Sequence, residues 1–168
     1  MPAPIIEAKR KAPLLRRFAA MFYDFLLCLA LALGTTALYV AIKGWWIGSQ
    51  ALEAQVAAGT ISQGPVLTIL LLLVITFFFC YFWTRTGQTL GMQAWKVQIL
   101  TREDKLPTLG QSLIRLAGAA ISFAAFGLGY FWMLFDREQL TWHERISGTR
   151  TIFRDYKKEQ ATAWRQAN

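Results

Sequence analysis

The chain has 168 residues, of which 55% are hydrophobic and 17% are charged, and its mean hydropathy is +0.33. This composition is too apolar for a typical soluble domain and favours a single membrane domain. A net charge of +8 could suggest nucleic-acid binding, but the basic residues flank apolar segments and no nucleic-acid-binding motif accompanies them. We therefore expect a membrane protein with no nucleic-acid partner.

Three segments have the length and composition of membrane-crossing helices, namely 18–42, 65–83 and 116–135. Each approaches the roughly 20 residues that cross a hydrocarbon core of about 30 Å. The second segment is uncharged and apolar around its whole circumference, which suits lipid better than a soluble core. The first follows a basic arm like that of a signal peptide, but its apolar run is too long for one and contains Asp24. We predict that it is a retained anchor.

The distribution of Lys and Arg predicts the topology. Five lie before residue 18, one in loop 43–64, four in loop 84–112 and seven after residue 135. Three straight crossings divide them nine against eight, without an orientation signal, whereas a third segment that re-enters divides them sixteen against one. Gly127 and Gly129 offer a place to turn back. We favour two full transmembrane helices plus a bent or re-entrant third segment, with both termini cytoplasmic; a straight third crossing is the alternative.

Two short segments alternate apolar and polar residues, at 95–100 (WKVQIL) and 149–153 (TRTIF). This alternation predicts β-strands, and two such strands are stable only if they pair, which requires loop and tail to lie on one side. Asp104 and Lys105 indicate a turn after the first strand. The expected fold is an all-α integral membrane protein with a small cytoplasmic two-stranded β element, forming one membrane domain over 1–154 with a polar tail at 155–168.

Asp24 is the one charged residue in the first apolar segment. A carboxylate within a membrane helix is costly, which makes it a candidate functional residue. Arg17 lies two turns earlier on the same helical face and is its predicted partner. Arg115, at the start of the third apolar segment, is the alternative partner. The acid could exchange a proton for a cation, or the charge pair could simply fix the position of the helix.

Four blocks of sequence carry a family resemblance: Arg17–Asp24 (Arg-x-x-Ala-x-x-x-Asp), Thr86–Gly91 (TGQTLG, leading into the first strand), Gln111–Arg115, and Phe135–Thr149 with its terminal HERISGT. In this order they resemble the RDD family of small bacterial membrane proteins, named for one arginine and two aspartates. Glu144 occupies the position of the second aspartate. Glutamate retains the charge and the acceptor oxygens, but its longer side chain moves the carboxylate by about one bond.

The resemblance implies a function as well as a fold, since some family members are described as cation/proton antiporters. We expect a small cation/proton antiporter or related secondary transporter in the bacterial inner membrane. Because two spans and a re-entrant segment do not easily enclose a pathway, this function requires a homo-oligomer. The alternative is a non-transporting membrane scaffold or assembly partner. The transport or charge-pair candidates are Arg17, Asp24, Arg115 and Glu144, and the secondary candidates are Asp136 and His143.

Other chemistry has little support in the sequence. There is no nucleophile–base pair, catalytic carboxylate pair or cofactor fingerprint, so we expect neither an enzyme nor a cofactor. A single histidine and two cysteines in apolar segments, Cys28 and Cys80, argue against a metal site. His143 could relay protons beside Glu144 or serve only as a hydrogen-bonding residue. The expected partners are the lipid bilayer, further copies of the chain, and a monovalent cation and a proton.

Overall fold

The computed structural model of the protein describes residues 11–60, 65–154 and Trp164. These residues form α1 (Leu14–Ile47), α2 (Ser49–Ala57), α3 (Pro65–Thr86), α4 (Leu90–Ala94), β1 (Val97–Thr101), α5 (Leu109–Ala124), α6 (Leu128–Phe131), a 3-10 turn (Trp132–Leu134), α7 (Trp142–Ser147) and β2 (Thr149–Phe153). The structure is mostly helical with one small sheet, which confirms the predicted fold class. The predicted tail lies outside the described residues apart from Trp164, so the domain boundary stays a prediction.

Among the described residues, two helices are long and apolar enough to cross a membrane, α1 and α3. With 34 and 22 residues they measure about 51 Å and 33 Å at 1.5 Å per residue, both longer than a hydrocarbon core of about 30 Å. The first is longer than the predicted segment 18–42. It begins after Pro13, whose carbonyl accepts hydrogen bonds from the backbone of Arg16 and Arg17, and ends before Gly48, whose φ of 83° leaves the helical region.

The third apolar segment is bent, as predicted. The axes of α5 and of the α6 and 3-10 stretch differ in direction by 108°. The break includes Phe126 and Gly127, with φ values of 53° and 79°. Glycine adopts this left-handed conformation without steric cost and phenylalanine does not, so the glycine eases the reversal. The turn therefore includes Gly127, one of the two glycines at which the sequence predicted it.

The chain divides into two compact units, one formed by residues 1–24 and 80–168 and the other by Phe25–Phe79. The second unit contains the longer part of α1, the short α2 and most of α3. In this unit, α2 follows α1 after the single residue Gly48. Leu52 of α2 packs closely against Gly44 of α1, since a Cβ at Gly44 would lie 2.6 Å from Leu52 Cδ2. All of the predicted site residues belong to the first unit.

The sheet of the first unit confirms the predicted strand pairing. β1 and β2 are antiparallel, with Val97 opposite Phe153 and Thr101 opposite Thr149. The second strand has its predicted bounds, but the first begins two residues later than predicted because Trp95 still donates its backbone N–H to Gly91 and ends α4. The predicted turn is also present, since Asp104 has a φ of 63° and donates its backbone N–H to Thr101.

The segment before α1 extends this sheet by one contact. Lys11 forms a β-bridge with Ile152, and the backbone N–H of Ala12 donates to the carbonyl of Thr151 at 3.2 Å. The side chain of Ala12 is buried. The chain just before the first membrane helix is therefore fixed to β2, which places Arg17 beside the sheet.

Candidate functional site

Asp24 lies in α1 as a buried carboxylate whose two oxygens accept hydrogen bonds from neutral donors. The Thr89 hydroxyl donates to Oδ2 at 2.5 Å, and the Gly91 backbone N–H donates to Oδ1 at 3.1 Å. Thr89 is the N-cap residue of α4, and its Oγ1 also accepts from the Met92 N–H at 3.2 Å. Asp24 therefore binds the buried N-terminal end of a short helix, whose backbone N–H groups have no partner within the helix, and this position favours a carboxylate.

Gly91 is required by the close approach of α4 to α1. A Cβ at this position would lie 2.5 Å from the Ala20 carbonyl oxygen, 2.7 Å from Asp24 Oδ1 and 2.9 Å from Tyr23 Cβ. Two of these three atoms could not move without shifting the α1 backbone. The Thr-Leu-Gly part of the sequence block is thus the segment that binds Asp24, an arrangement that the spacing in the sequence did not reveal.

Arg17 is buried and does not pair with Asp24, so the predicted pair is wrong. Its guanidinium donates to Glu144 Oε1 at 2.8 Å and to the carbonyls of Ala12 at 3.0 Å and Thr151 at 3.2 Å. The physical reason is the direction of side chains on a helix. Each Cα–Cβ bond tilts toward the N-terminus, so Arg17 reaches back to the segment before α1 and not forward to an acid two turns later.

Glu144 is fully buried and lies between two arginines. Its Oε1 is 2.8 Å from Arg17 Nη1 and 3.5 Å from Arg115 Nη2, while Oε2 accepts the backbone N–H of Thr141 at 3.0 Å. Burial alone would raise the pKa of this carboxyl, but the two guanidinium groups lower it to about 2. Glu144 is therefore ionised at any physiological pH.

The same residue explains why a glutamate fits where the resemblance predicts an aspartate. Thr141 and Glu144 form a capping box at the start of α7, in which the Glu144 carboxylate must reach back to the N–H of Thr141. The longer side chain makes this contact with one oxygen while the other binds Arg17. The substitution therefore retains a tightly defined geometry.

Arg115 joins α5 to the sheet, which excludes it as the partner of Asp24. Its Nη1 donates to Thr149 Oγ1 at 2.6 Å and its Nη2 to Thr151 Oγ1 at 2.8 Å, while its guanidinium carbon lies 5.7 Å from the centre of the Trp83 ring. Arg17, Arg115 and Glu144 therefore form one buried cluster, which we call the Arg-Glu-Arg cluster.

His143 is buried beside this cluster. Its Nε2 lies 2.9 Å from Thr141 Oγ1, its ring centre lies 4.7 Å from that of Tyr130, and its Nδ1 has no hydrogen-bond partner among the described residues. Burial, with a smaller contribution from the nearby charge of Arg115, lowers the pKa of His143 to about 3. The imidazole is neutral at physiological pH, so this environment favours the hydrogen-bonding role; a proton relay stays a prediction.

We expect the free energy of unfolding to decrease as the pH is lowered below about 6.5, because of His143. Between the unfolded pKa of about 6.5 and the folded value of about 3, the unfolded chain binds a proton that the folded protein does not. The maximum slope is about 1.4 kcal/mol per pH unit. Glu144, with its lowered pKa, adds a further loss only as pH falls from about 4.5 toward 2. Thermal unfolding in detergent between pH 6.5 and 5 should thus be less pH-dependent in His143→Gln, and an unchanged slope would contradict this prediction.

Asp136, the other secondary candidate, binds a different partner. Its Oδ2 accepts the backbone N–H of Leu140 at 3.0 Å and its Oδ1 accepts from Arg145 Nη2 at 2.7 Å. These contacts close the loop that leads into α7. The structure therefore gives Asp136 a local role in the loop and brings together Arg17, Arg115, Glu144 and His143.

Four buried threonines were not predicted as site residues. Thr89 and Thr141 cap helices, and Thr149 and Thr151 bind Arg115 from the same face of β2. The sequence contained a signal for three of them. Thr141 and Glu144 have the spacing of a capping box, and Thr149 and Thr151 are two residues apart on a predicted strand, so their side chains share one face. Within the described residues, no group of three His, Cys, Asp or Glu side chains could hold a metal ion.

The part of the chain that the structure describes contains two helices long and apolar enough to span a membrane and a bent pair of apolar helices. It also contains a two-stranded sheet that binds a buried ionic cluster. These features define a small helical membrane protein. The model of the RDD family matches residues 11–148. The chain therefore belongs to the RDD family. Neither the comparison with curated proteins nor the comparison with solved structures gives a significant match.

Proposed function

We propose that the protein is a cation/proton antiporter or a related secondary transporter in which Asp24 is the exchanging acid. One observation carries this proposal. Asp24 is buried within a membrane helix, its hydrogen bonds come from the neutral Thr89 hydroxyl and Gly91 N–H, and the ion pairs among the described residues do not include it. An ionisable residue in a membrane segment that lacks a charge partner is a candidate for carrying an ion or a proton.

The Arg-Glu-Arg cluster supports this assignment by elimination. The two arginines that could have neutralised Asp24 bind Glu144, the carbonyls of Ala12 and Thr151, and the threonines of β2. Among the described residues, no arginine or lysine therefore forms an ion pair with Asp24. Binding a proton or a monovalent cation would neutralise it, which is the requirement for an exchanging acid.

The proposal includes a location and an assembly state. The paired strands β1 and β2 come from the segment after α3 and from the segment after α7, so these two regions share one side of the membrane. Together with the charge distribution, this pairing supports an inner-membrane protein with both termini in the cytoplasm. Because two spans do not easily enclose a pathway, we propose that the transporter is a homo-oligomer.

The test is ion-driven proton flux in proteoliposomes containing the purified protein. Asp24→Asn keeps the shape and an acceptor oxygen for Gly91, but it cannot exchange a proton, so flux should fall to the level of empty vesicles. Asp24→Glu should retain part of the flux. Asp136→Asn is the matched control, because it removes a carboxylate that binds Leu140 and Arg145 in the loop before α7. Its flux should be unchanged.

Two outcomes would overturn the proposal. The first is an absence of ion-driven flux from a wild-type protein that elutes as a single folded species. The second is a robust flux that survives in Asp24→Asn. Because the Asn variant could fold poorly, its thermal unfolding is compared with that of wild type, and loss of flux counts in favour of the proposal only where the melting temperature is retained.

The second candidate function is a non-transporting membrane scaffold or assembly partner. It is favoured by the structural use of the Arg-Glu-Arg cluster. Arg17 and Arg115 both bind Glu144 and β2, so the cluster joins α1, α5, α7 and β2. In this role Asp24 would likewise hold α4 on α1 through Thr89 and Gly91. Co-purification of a stoichiometric partner, with no flux from the protein alone, would support this function over transport.

A further inference from the structure

The polarity of the two faces of α5 is the reverse of that in a soluble protein, because its buried face is polar and its exposed face is apolar. Its buried positions are Ser112, Arg115, Gly118 and Ser122, a face that is polar or small. Its exposed positions include the large apolar side chains of Leu109, Leu113, Ile114, Ile121 and Phe123. Apolar residues of a soluble helix face the core, because burying them in the protein is favourable. The reversed arrangement requires a solvent of low polarity around the outer face of α5.

The exposed apolar surface continues through the bend and beyond it. Phe126, at the break, is 95% exposed, and Phe135, just after the 3-10 turn, is 85% exposed. Between them Leu128, Phe131, Trp132 and Leu134 are exposed as well. We call this surface, together with the outer face of α5, the apolar wedge. A contiguous exposed surface of this kind marks a membrane or protein contact.

The inner face of α5 is covered by α7, which is antiparallel to it. At the start of α5, Gln111 Nε2 lies 3.8 Å from where a Cβ on Gly148, just after α7, would be. Midway along α5, a Cβ on Gly118 would lie 3.0 Å from His143 Cβ. Toward the end of α5, Ser122 and Trp142, the first residue of α7, both lie close to Gly129.

This antiparallel packing places both ends of the bent segment on one side of the membrane. α7 runs directly into β2, β2 pairs with β1, and Arg115 on α5 binds Thr149 and Thr151 of β2. The chain therefore leaves the sheet, passes along α5, turns, and returns along α7 to the same sheet. A crossing would carry the ionised Glu144 and Arg145 of α7 through the bilayer together with α5, which is unfavourable.

The dimensions of the segment lead to the same conclusion. α5 has 16 residues and measures about 24 Å, less than a hydrocarbon core of about 30 Å. The bend of 108° directs the next helical stretch away from the axis of α5. Neither part is long enough to span the core alone.

We propose that the apolar wedge inserts into one leaflet of the bilayer, on the side that contains the β1–β2 sheet, and that its partner is the acyl-chain region of that leaflet. In the same unit, Phe22 and Tyr23 of the membrane helix α1 are exposed apolar residues as well, and the polar inner face of α5 is already occupied by α7. This assignment depends on the protein being a membrane protein and not on ion transport, so it can hold or fail independently of the role of Asp24.

Single cysteines test the topology of the wedge in the full-length protein. Gly110→Cys lies at an exposed position in the first turn of α5, where the wedge begins, and Gln139→Cys lies at an exposed position after the wedge. Gln50→Cys lies in α2, between the two membrane helices in the sequence. A membrane-impermeant maleimide is applied to right-side-out and to inverted vesicles, and labelling of the parent chain is subtracted as background. We expect the first two positions to react in one vesicle orientation and Gln50→Cys in the other. Labelling of Gln139→Cys together with Gln50→Cys would mean that the segment crosses, which overturns the inference.

A fluorescent label on Phe126→Cys tests its depth. In liposomes, nitroxide lipids carrying the quencher near the headgroup should quench this label more than lipids carrying it at the chain end. Leu73→Cys in the middle of α3 is the control, and there the order should be reversed. A Phe126 label quenched by aqueous iodide and by neither lipid overturns the inference. Disulfide-linked dimers through Phe126→Cys, without lipid quenching, also overturn it and assign the surface to a second copy.

Discussion

Glu144→Gln is expected to lower the free energy of unfolding by about 3–5 kcal/mol, because it leaves Arg17 and Arg115 buried without a counter-charge. Glutamine has nearly the same shape as glutamate and retains one oxygen that can accept the Thr141 N–H. Most of the lost stability is therefore due to removal of the negative charge. In a protein of this size the change corresponds to a fall of the melting temperature on the order of 10 °C. Thermal unfolding in detergent, followed by the loss of the monodisperse elution peak, measures it.

The matched control is Glu138→Gln, which neutralises an exposed carboxylate 4.0 Å from Arg145. A surface change of this kind is expected to alter stability by no more than about 0.5 kcal/mol. A double variant, Arg17→Met with Glu144→Gln, should lose less than the sum of the two single changes, since both remove the same ion pair. Equal melting temperatures for Glu144→Gln and Glu138→Gln would show that the Arg-Glu-Arg cluster does not stabilise the fold.

Gly91→Ala is expected to lower the free energy of unfolding by about 2–4 kcal/mol, because it overpacks the contact between α4 and α1 and weakens the Gly91 hydrogen bond to Asp24. The added methyl group would meet the Ala20 carbonyl oxygen at 2.5 Å, so α4 must move away from α1. The melting temperature in detergent gives the size of the effect. If the function depends on Asp24, the flux should fall as well.

Gly110→Ala provides the control for this variant. A Cβ at Gly110, near the start of α5, would meet no atom within 4 Å. Alanine is a better helix former than glycine, so this change should stabilise the protein by about 0.5–1 kcal/mol. The two Gly→Ala changes should therefore shift the melting temperature in opposite directions. A stabilising Gly91→Ala would contradict the close approach of α4 and α1.

The charged residues of the site could be predicted from the sequence, but their partners could not. Periodicity places Arg17 and Asp24 on one face of α1, and that is all it can establish, because the direction of each side chain depends on what surrounds the helix. Arg17 binds Glu144, which lies 127 residues later in the chain. Contacts over such a separation depend on tertiary packing, which a single sequence does not encode in any local pattern.

The fold was more predictable than the site for the same reason. Length and apolar composition determine a membrane span locally, and alternation determines a strand, so α1, α3 and β2 follow from short windows of sequence. The start of β1 could not be placed because the short helix α4 ends only at Ala94, with Trp95 as its C-cap, and five helical residues give no clear periodic signal.

The long separation between Arg17 and Glu144 also sets an order of events during synthesis. Arg17 is made 127 residues before Glu144, so α1 can enter the membrane while Glu144 is still untranslated. Until then its guanidinium and that of Arg115 lack their carboxylate, and β1 lacks its partner strand. The first unit can therefore close only after the last strand emerges from the ribosome. A chain interrupted before that point would expose two unpaired arginines, which distinguishes an incomplete molecule from a finished one.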